Sequence, residues 1–158
     1  MDKYSFYSNN TNEVILMNSN IEFLDYIYQN AEMGKSTISE LIDIVKDEPY
    51  RKNLESQLKE YTEIFDLSDN KIKDTQESSK GIGTLTKITS YIMINIKTLT
   101  NKTPSHISEM LIQGSTMGII DITKRLKQYK DATQDIKDIA NRLLKFEQQN
   151  VEELKKFL

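Results

Sequence analysis

One carboxylate in this chain stands where helix periodicity puts apolar side chains. Residues Ile136, Ala140, Leu143, Val151 and Leu154 recur at helical spacing, and Glu147 falls in the middle of their stripe, with Asn150 three residues on and on the same side. A buried carboxylate is costly unless it is paired, hydrogen-bonded, protonated or bound to a metal. A second inward polar residue, Gln57, sits between Leu54, Leu58 and Tyr61. Glu32 lies at the edge of a third stripe with Lys35 nearer its centre, and Asp121 lies on a fourth, with Arg125 one turn further. Glu32, Gln57, Asp121, Glu147 and Asn150 therefore form the candidate polar set, drawn from four helices. Two readings remain open. Carboxylate and amide oxygens suit a divalent ion such as Mg, Ca or Mn. The same groups suit a buried network completed by Lys35, Arg125 or a tyrosine hydroxyl.

Other chemistry is excluded more directly. The letters GKST at Gly34–Thr37 end a phosphate-binding loop only after G-x-x-x-x, and position 29 is Gln. The preceding IEFLDYIYQNAEM has helical spacing, so Gly34 is expected in mid-helix, where no backbone donors are free for phosphate. With no cysteine and a single histidine, His106, at the start of a helix, no nucleophile–base triad can be assembled and no catalytic residue is assigned.

Gly34 poses a packing question instead. AEMG at 31–34 is echoed by STMG at 115–118, and the second copy adds Gly114 beside Ser115. A mid-helix glycine costs about 1 kcal/mol relative to alanine, and close approach of a neighbouring helix or a large Tyr, Phe or Met side chain is the usual compensation. The echo points to two related helical hairpins.

The elements that must position these groups are helical nearly throughout, since two prolines and five glycines in 158 residues leave few interruptions. Residues 1–17 are expected as a flexible polar arm, followed by one domain over 18–158. The first helix is expected from the Asn18–Asn20 cap signal to about Lys46, and the second from Tyr50 after the break at Pro49. A shorter helix is expected over 84–100, a third long helix from a Ser105 cap to about Tyr129, and a fourth over about 132–156. The fold class is all-α: an antiparallel four-helix bundle of two hairpins, with a long crossover carrying the additional helix.

That layout, with inward polar residues at mid-helix, resembles the ferritin-like superfamily. The similarity is to small, uncharacterised bacterial members, carried by AEMGKSTISELI (31–42) and EMLIQGSTMGIIDITK (109–124), and extends over about residues 20–156. The resemblance implies a di-metal site with a Glu on each of two helices and Glu-x-x-His on each of the others. Glu32 and Glu147 match two of those carboxylates. Asn150 stands in place of histidine, Gln57 and Glu60 match neither group, and Thr116 stands where the echo has Glu32, leaving Asp121 as the substitute. The expected function is thus a non-catalytic structural or binding protein with no cofactor and an incomplete di-iron site. The alternative is a metal-binding protein with an atypical carboxylate and amide site.

A formal charge of −3 argues against nucleic-acid binding. No segment approaches the roughly 20 apolar residues of a membrane helix, so no membrane insertion is expected. The opening residues lack a secretory pattern, making a cytoplasmic location the expectation. Lysine outnumbers arginine and isoleucine and asparagine are frequent, a coding bias of AT-rich bacterial genomes. A homodimer or a protein partner, docked through the 1–17 arm or the 84–100 helix, is a further open reading.

Overall fold

The computed structural model describes the backbone of residues 3–75, 96 and 99–158, with side chains from residue 13 onward. Four long α-helices account for almost all of it: α1 Lys3–Ile44, α2 Glu48–Asp74, α3 Pro104–Gln128 and α4 Gln134–Leu154, closed by a 3₁₀ turn at Lys155–Phe157. No strand occurs among the described residues. The helix expected over 84–100 lies outside them except for Ile96, which is helical and buried, and Leu99, which packs against the core.

Local chemistry sets the helix ends. Asp47 caps α2, its Oδ1 accepting the Tyr50 N–H at 2.8 Å, and Pro49 sits in the first turn where no donor is needed. Proline therefore begins α2 inside the segment where a break was expected. Thr103, and not Ser105, caps α3 by accepting the His106 N–H at 3.3 Å, with Pro104 as the first helical residue. The polar run after Ser68 continues α2 to Asp74.

The largest departure is at the N-terminus. Helix α1 begins at Lys3, so the segment expected as an arm is helical backbone. Nothing between Lys3 and Gly34 is a proline or glycine, and the Asn18–Asn20 signal costs only tenths of a kcal/mol per residue in a helix interior. At the N-terminal end Val14, Ile15, Leu16 and Met17 are exposed. Burial begins beyond Asn20, whose Oδ1 accepts the Thr133 N–H at 3.0 Å in the α3–α4 connection.

Helix α1 packs chiefly on α2, and α3 on α4, while α4 also touches α1 and α2. The shared core runs through Phe23, Leu24, Ile27, Ile38 and Leu41 of α1, Tyr50, Leu54 and Ile64 of α2, Ile107 and Ile122 of α3, and Leu143 and Leu154 of α4. Aromatic contacts pin its two ends: Phe23 stacks on Tyr129 at 5.1 Å, and Tyr50 meets Phe157 at 4.7 Å. The Tyr50 hydroxyl accepts a hydrogen bond from Ser108 at 3.0 Å. On the α2–α4 surface Arg142 forks onto Glu60 at 2.6 and 2.9 Å and reaches Glu63 at 2.5 Å, while Lys71 pairs with Asp135 further along.

Because Asp47 is the only side chain holding an orphan donor of α2's first turn among the described hydrogen bonds, its loss is local and measurable. Asp47→Ala is expected to lower the unfolding free energy by about 1 kcal/mol in urea titration. An unchanged midpoint would show that the cap is dispensable.

Candidate functional site

The mid-bundle site is built around one hydrogen bond. The Tyr61 hydroxyl of α2 donates to Glu147 Oε1 of α4 at 2.7 Å, joining residues 86 apart in sequence. Both groups are withdrawn from solvent, Glu147 being only 3% exposed. Burial pushes the Glu147 carboxyl above its ordinary range, opposed by the Tyr61 and Ser115 hydroxyls beside it. Burial and the adjacent carboxylate together push the Tyr61 phenol well up, so tyrosine remains a neutral donor. The second carboxylate oxygen, Oε2, has no hydrogen-bond partner of regular geometry among the described residues.

Each member of the pair faces a glycine of the neighbouring helix. Gly34 of α1 lies under the Tyr61 ring so closely that a Cβ there would overlap the ring carbons. The ring cannot retreat: Phe146 packs edge-on against it at 4.8 Å and its hydroxyl is tied to Glu147. Gly118 of α3 faces Glu147 with more room. A Cβ there would stand 3.9 Å from Asn30 Nδ2 and 3.9 Å from the carboxylate, ordinary contact distances. The AEMG and STMG echoes thus occupy corresponding places, each opposite one end of the same hydrogen bond.

Between these glycines lies a cavity of about 40 Å³. Asn30, Gly34 and Thr37 of α1 form one wall, Gly114, Ser115 and Gly118 of α3 the other, and Tyr61 and Glu147 the floor. Among the described residues Thr37 Oγ1 finds no hydrogen-bond partner, and neither does Glu147 Oε2, although both are buried.

The five candidate residues do not converge as one ligand set. Glu147 is buried at the centre as expected. Asn150 is buried three residues on, close enough to act on the Tyr61 phenol, although its Nδ2 closes no regular hydrogen bond. Gln57 donates to Asn53 Oδ1 at 2.7 Å and shares a groove between α2 and α4 with Asn150. Glu32 lines a different, outward groove with Lys35, Leu58 and Phe65, where partial burial raises its carboxyl. Asp121 lies one turn along α3 from Gly118, and its charge acts on Tyr26. Glu32 is the clear correction. It stands two residues from both Asn30 and Gly34, which is about 200° round the helix from the cavity wall.

The cations are also engaged elsewhere. Lys35 lies over the Phe65 ring at 4.5 Å and Arg125 over Tyr26 at 4.0 Å, so neither neutralises Glu147. Of the three partners open to Glu147 on sequence grounds, the tyrosine hydroxyl is the one found. His106 is peripheral, 3.8 Å from Glu109 near the start of α3. Asn30, Thr37 and Ser115 were not among the expected site residues. Their signal was spacing, since Asn30 and Thr37 flank Gly34 at i−4 and i+3.

A divalent ion fits this donor set poorly. Among the described residues no group of three or more His, Asp or Glu side chains stands close enough to hold a metal. One carboxylate, already bonded to a phenol, is surrounded by neutral oxygens and methionines. No helix among the described residues is long and apolar enough to cross a membrane. No protein family matches the chain, and no curated protein or solved structure was found similar to it.

The two glycines should respond in opposite directions to alanine. Gly34→Ala forces the Tyr61 ring aside and is expected to cost about 1–3 kcal/mol, reduced by the helix-propensity gain. Gly118→Ala meets no clash and is expected to add roughly 0.5–1 kcal/mol from propensity alone. Chemical denaturation checks both, and equal effects would show that Tyr61 does not fix the contact.

The Glu147 carboxyl has a folded pKa raised above its unfolded value, so it favours the fold when protonated. That contribution is complete below the unfolded pKa and is lost as pH rises through the folded one. Glu147→Gln keeps an acceptor for Tyr61 and does not titrate. Relative to the parent it should gain stability as pH rises from the ordinary carboxyl pKa through the raised folded one and hold that gain above it, and a parallel pair of stability–pH curves would disprove the raised carboxyl.

Proposed function

We propose that this chain is a ferritin-like bundle of two antiparallel helical hairpins joined by a long crossover. On this reading its mid-bundle carboxylate serves a hydrogen-bond network, and the protein is a non-catalytic binding or structural protein. The register of side-chain contacts supports the topology. From Gly34 back to Tyr28 on α1, the partners on α2 advance from Tyr61 to Phe65. From Phe23 through Tyr26 to Asn30 on α1, the neighbours on α3 run backward from Tyr129 through Arg125 to Gly118. Between α2 and α4 the pairs Tyr50–Phe157, Tyr61–Glu147 and Lys71–Asp135 also run in opposite senses. Helices α2 and α3 then point the same way, which requires a connection spanning the bundle's length.

The observation that carries the functional reading is the 2.7 Å bond from Tyr61 to Glu147 Oε1. A metal carboxylate is ionised and shared with other charged ligands. This one is held by a neutral phenol, and among the described residues lining the cavity no other side chain is charged. Glu32, which the family resemblance pairs with Glu147, lines another groove. Among the described residues, the alternative metal-binding reading lacks a second carboxylate lining this cavity.

Protein purified without an affinity metal should show no stoichiometric ferrous-iron oxidation and no saturable rise in melting temperature with Fe²⁺ or Mn²⁺. Saturable oxidation at one or two irons per chain would overturn the proposal.

A further inference from the structure

We propose that the crevice between α1 and α3 binds a small primary alkylammonium ion, its head beside Glu147 and Thr37 and its tail between Met33, Met110 and Leu111. The proposal rests on the binding-protein reading above and names the ligand chemistry of that same site.

Four observations converge on the crevice. First, its shape is that of an amphipathic slot. The floor is polar, made by Tyr61 and Glu147, whereas Met33, Met110 and Leu111 are half-buried toward the mouth. Secondly, two polar oxygens of its lining are unsatisfied. Thr37 is 4% exposed and Glu147 3%, and neither Thr37 Oγ1 nor Glu147 Oε2 has a hydrogen-bond partner among the described residues. Leaving such a group unpaired is costly, and both oxygens can accept an N–H.

Thirdly, Gly118 has no steric reason to be glycine. A mid-helix glycine is less stable than alanine in the same place. Gly34 has the Tyr61 ring as compensation, but a Cβ at 118 would be accommodated at 3.9 Å. What the missing methyl leaves is space beside the Oε1 side of the carboxylate and the Asn30 amide. Fourthly, the described residues of the lining include one acidic side chain and no Lys, Arg or His. A cation entering beside Glu147 would favour the ionised carboxylate, which burial alone disfavours.

These features also select the cation. At about 40 Å³ the cavity exceeds the roughly 10–15 Å³ that one water requires, so an ammonium head with its first carbons fits. A divalent metal demands more anionic oxygen than one carboxylate supplies. A bare alkali ion would gain nothing from the apolar mouth, whereas a short alkyl chain gains from burial there with each CH₂. Methionine side chains at the mouth adapt readily to such a tail. The Ser115 and Tyr61 hydroxyls beside the carboxylate complete the polar shell.

Calorimetric titration of the full chain with n-propylammonium chloride at pH 8 tests the proposal, with 1-propanol, KCl and MnCl₂ in parallel. Saturable one-to-one binding of propylammonium is expected, with a raised melting temperature and no response to 1-propanol or KCl. Gly118→Ala fills the space without a clash and should bind at least ~10-fold more weakly while melting no lower than the parent, ~10-fold being 1.4 kcal/mol. Glu147→Gln should bind as weakly, and provides a second folded variant. Absence of saturable propylammonium binding, or undiminished binding in both variants, overturns the proposal. Equal binding of 1-propanol or KCl overturns the choice of ligand. Stoichiometric Mn²⁺ binding would instead overturn the non-metal reading on which it rests.

Discussion

The hydrogen bond from Tyr61 to Glu147 is the constraint to which the middle of this bundle is fitted. It crosses between the two helix pairs and joins groups that are both expensive to bury alone. Once the phenol must reach the carboxylate, its ring has to lie flat on α1, and only glycine at position 34 permits that. Phe146 closes the ring's other side. On α3 the carboxylate faces Gly118 at ordinary contact distance, with Gly114 and Ser115 lining the same crevice. A short polar contact thus fixes how closely α1 and α2 approach.

The same bond explains why the mid-bundle layer is polar without being a salt bridge. Arg142, Lys71 and Lys73 find carboxylates at or near the surface, where solvation makes ion pairs inexpensive and weakly stabilising. Inside, the partner of Glu147 is neutral, so the layer bears at most one charge, and burial opposes even that one.

Much of this was legible in the chain. Apolar periodicity identified the four helices and the anomalous positions of Glu147 and Gln57, because an inward stripe depends only on the roughly 100° step between residues. The mid-helix glycine was legible as a packing device for the same reason, and its partner proved to be a tyrosine ring. Periodicity gives an angle round the helix with little tolerance for error. Glu32 illustrates this: at the stripe's edge it could be assigned inward, yet two residues' rotation from Gly34 sets it in an outward groove.

What periodicity omits is axial level, since it does not say which turn of one helix meets which turn of another. Asp121 is on a suitable face of α3 but acts one turn away, near Tyr26 and Arg125. Asn30 and Thr37 matter because Gly34 meets Tyr61, and through it Glu147, at their level. The sequence by itself determined an all-helical chain with a buried carboxylate that must find a partner. Only the tertiary structure decided that the partner is the Tyr61 hydroxyl and that a crevice remains beside it. The physical reason is that desolvation is a property of a residue's face, whereas pairing depends on helices meeting at one height.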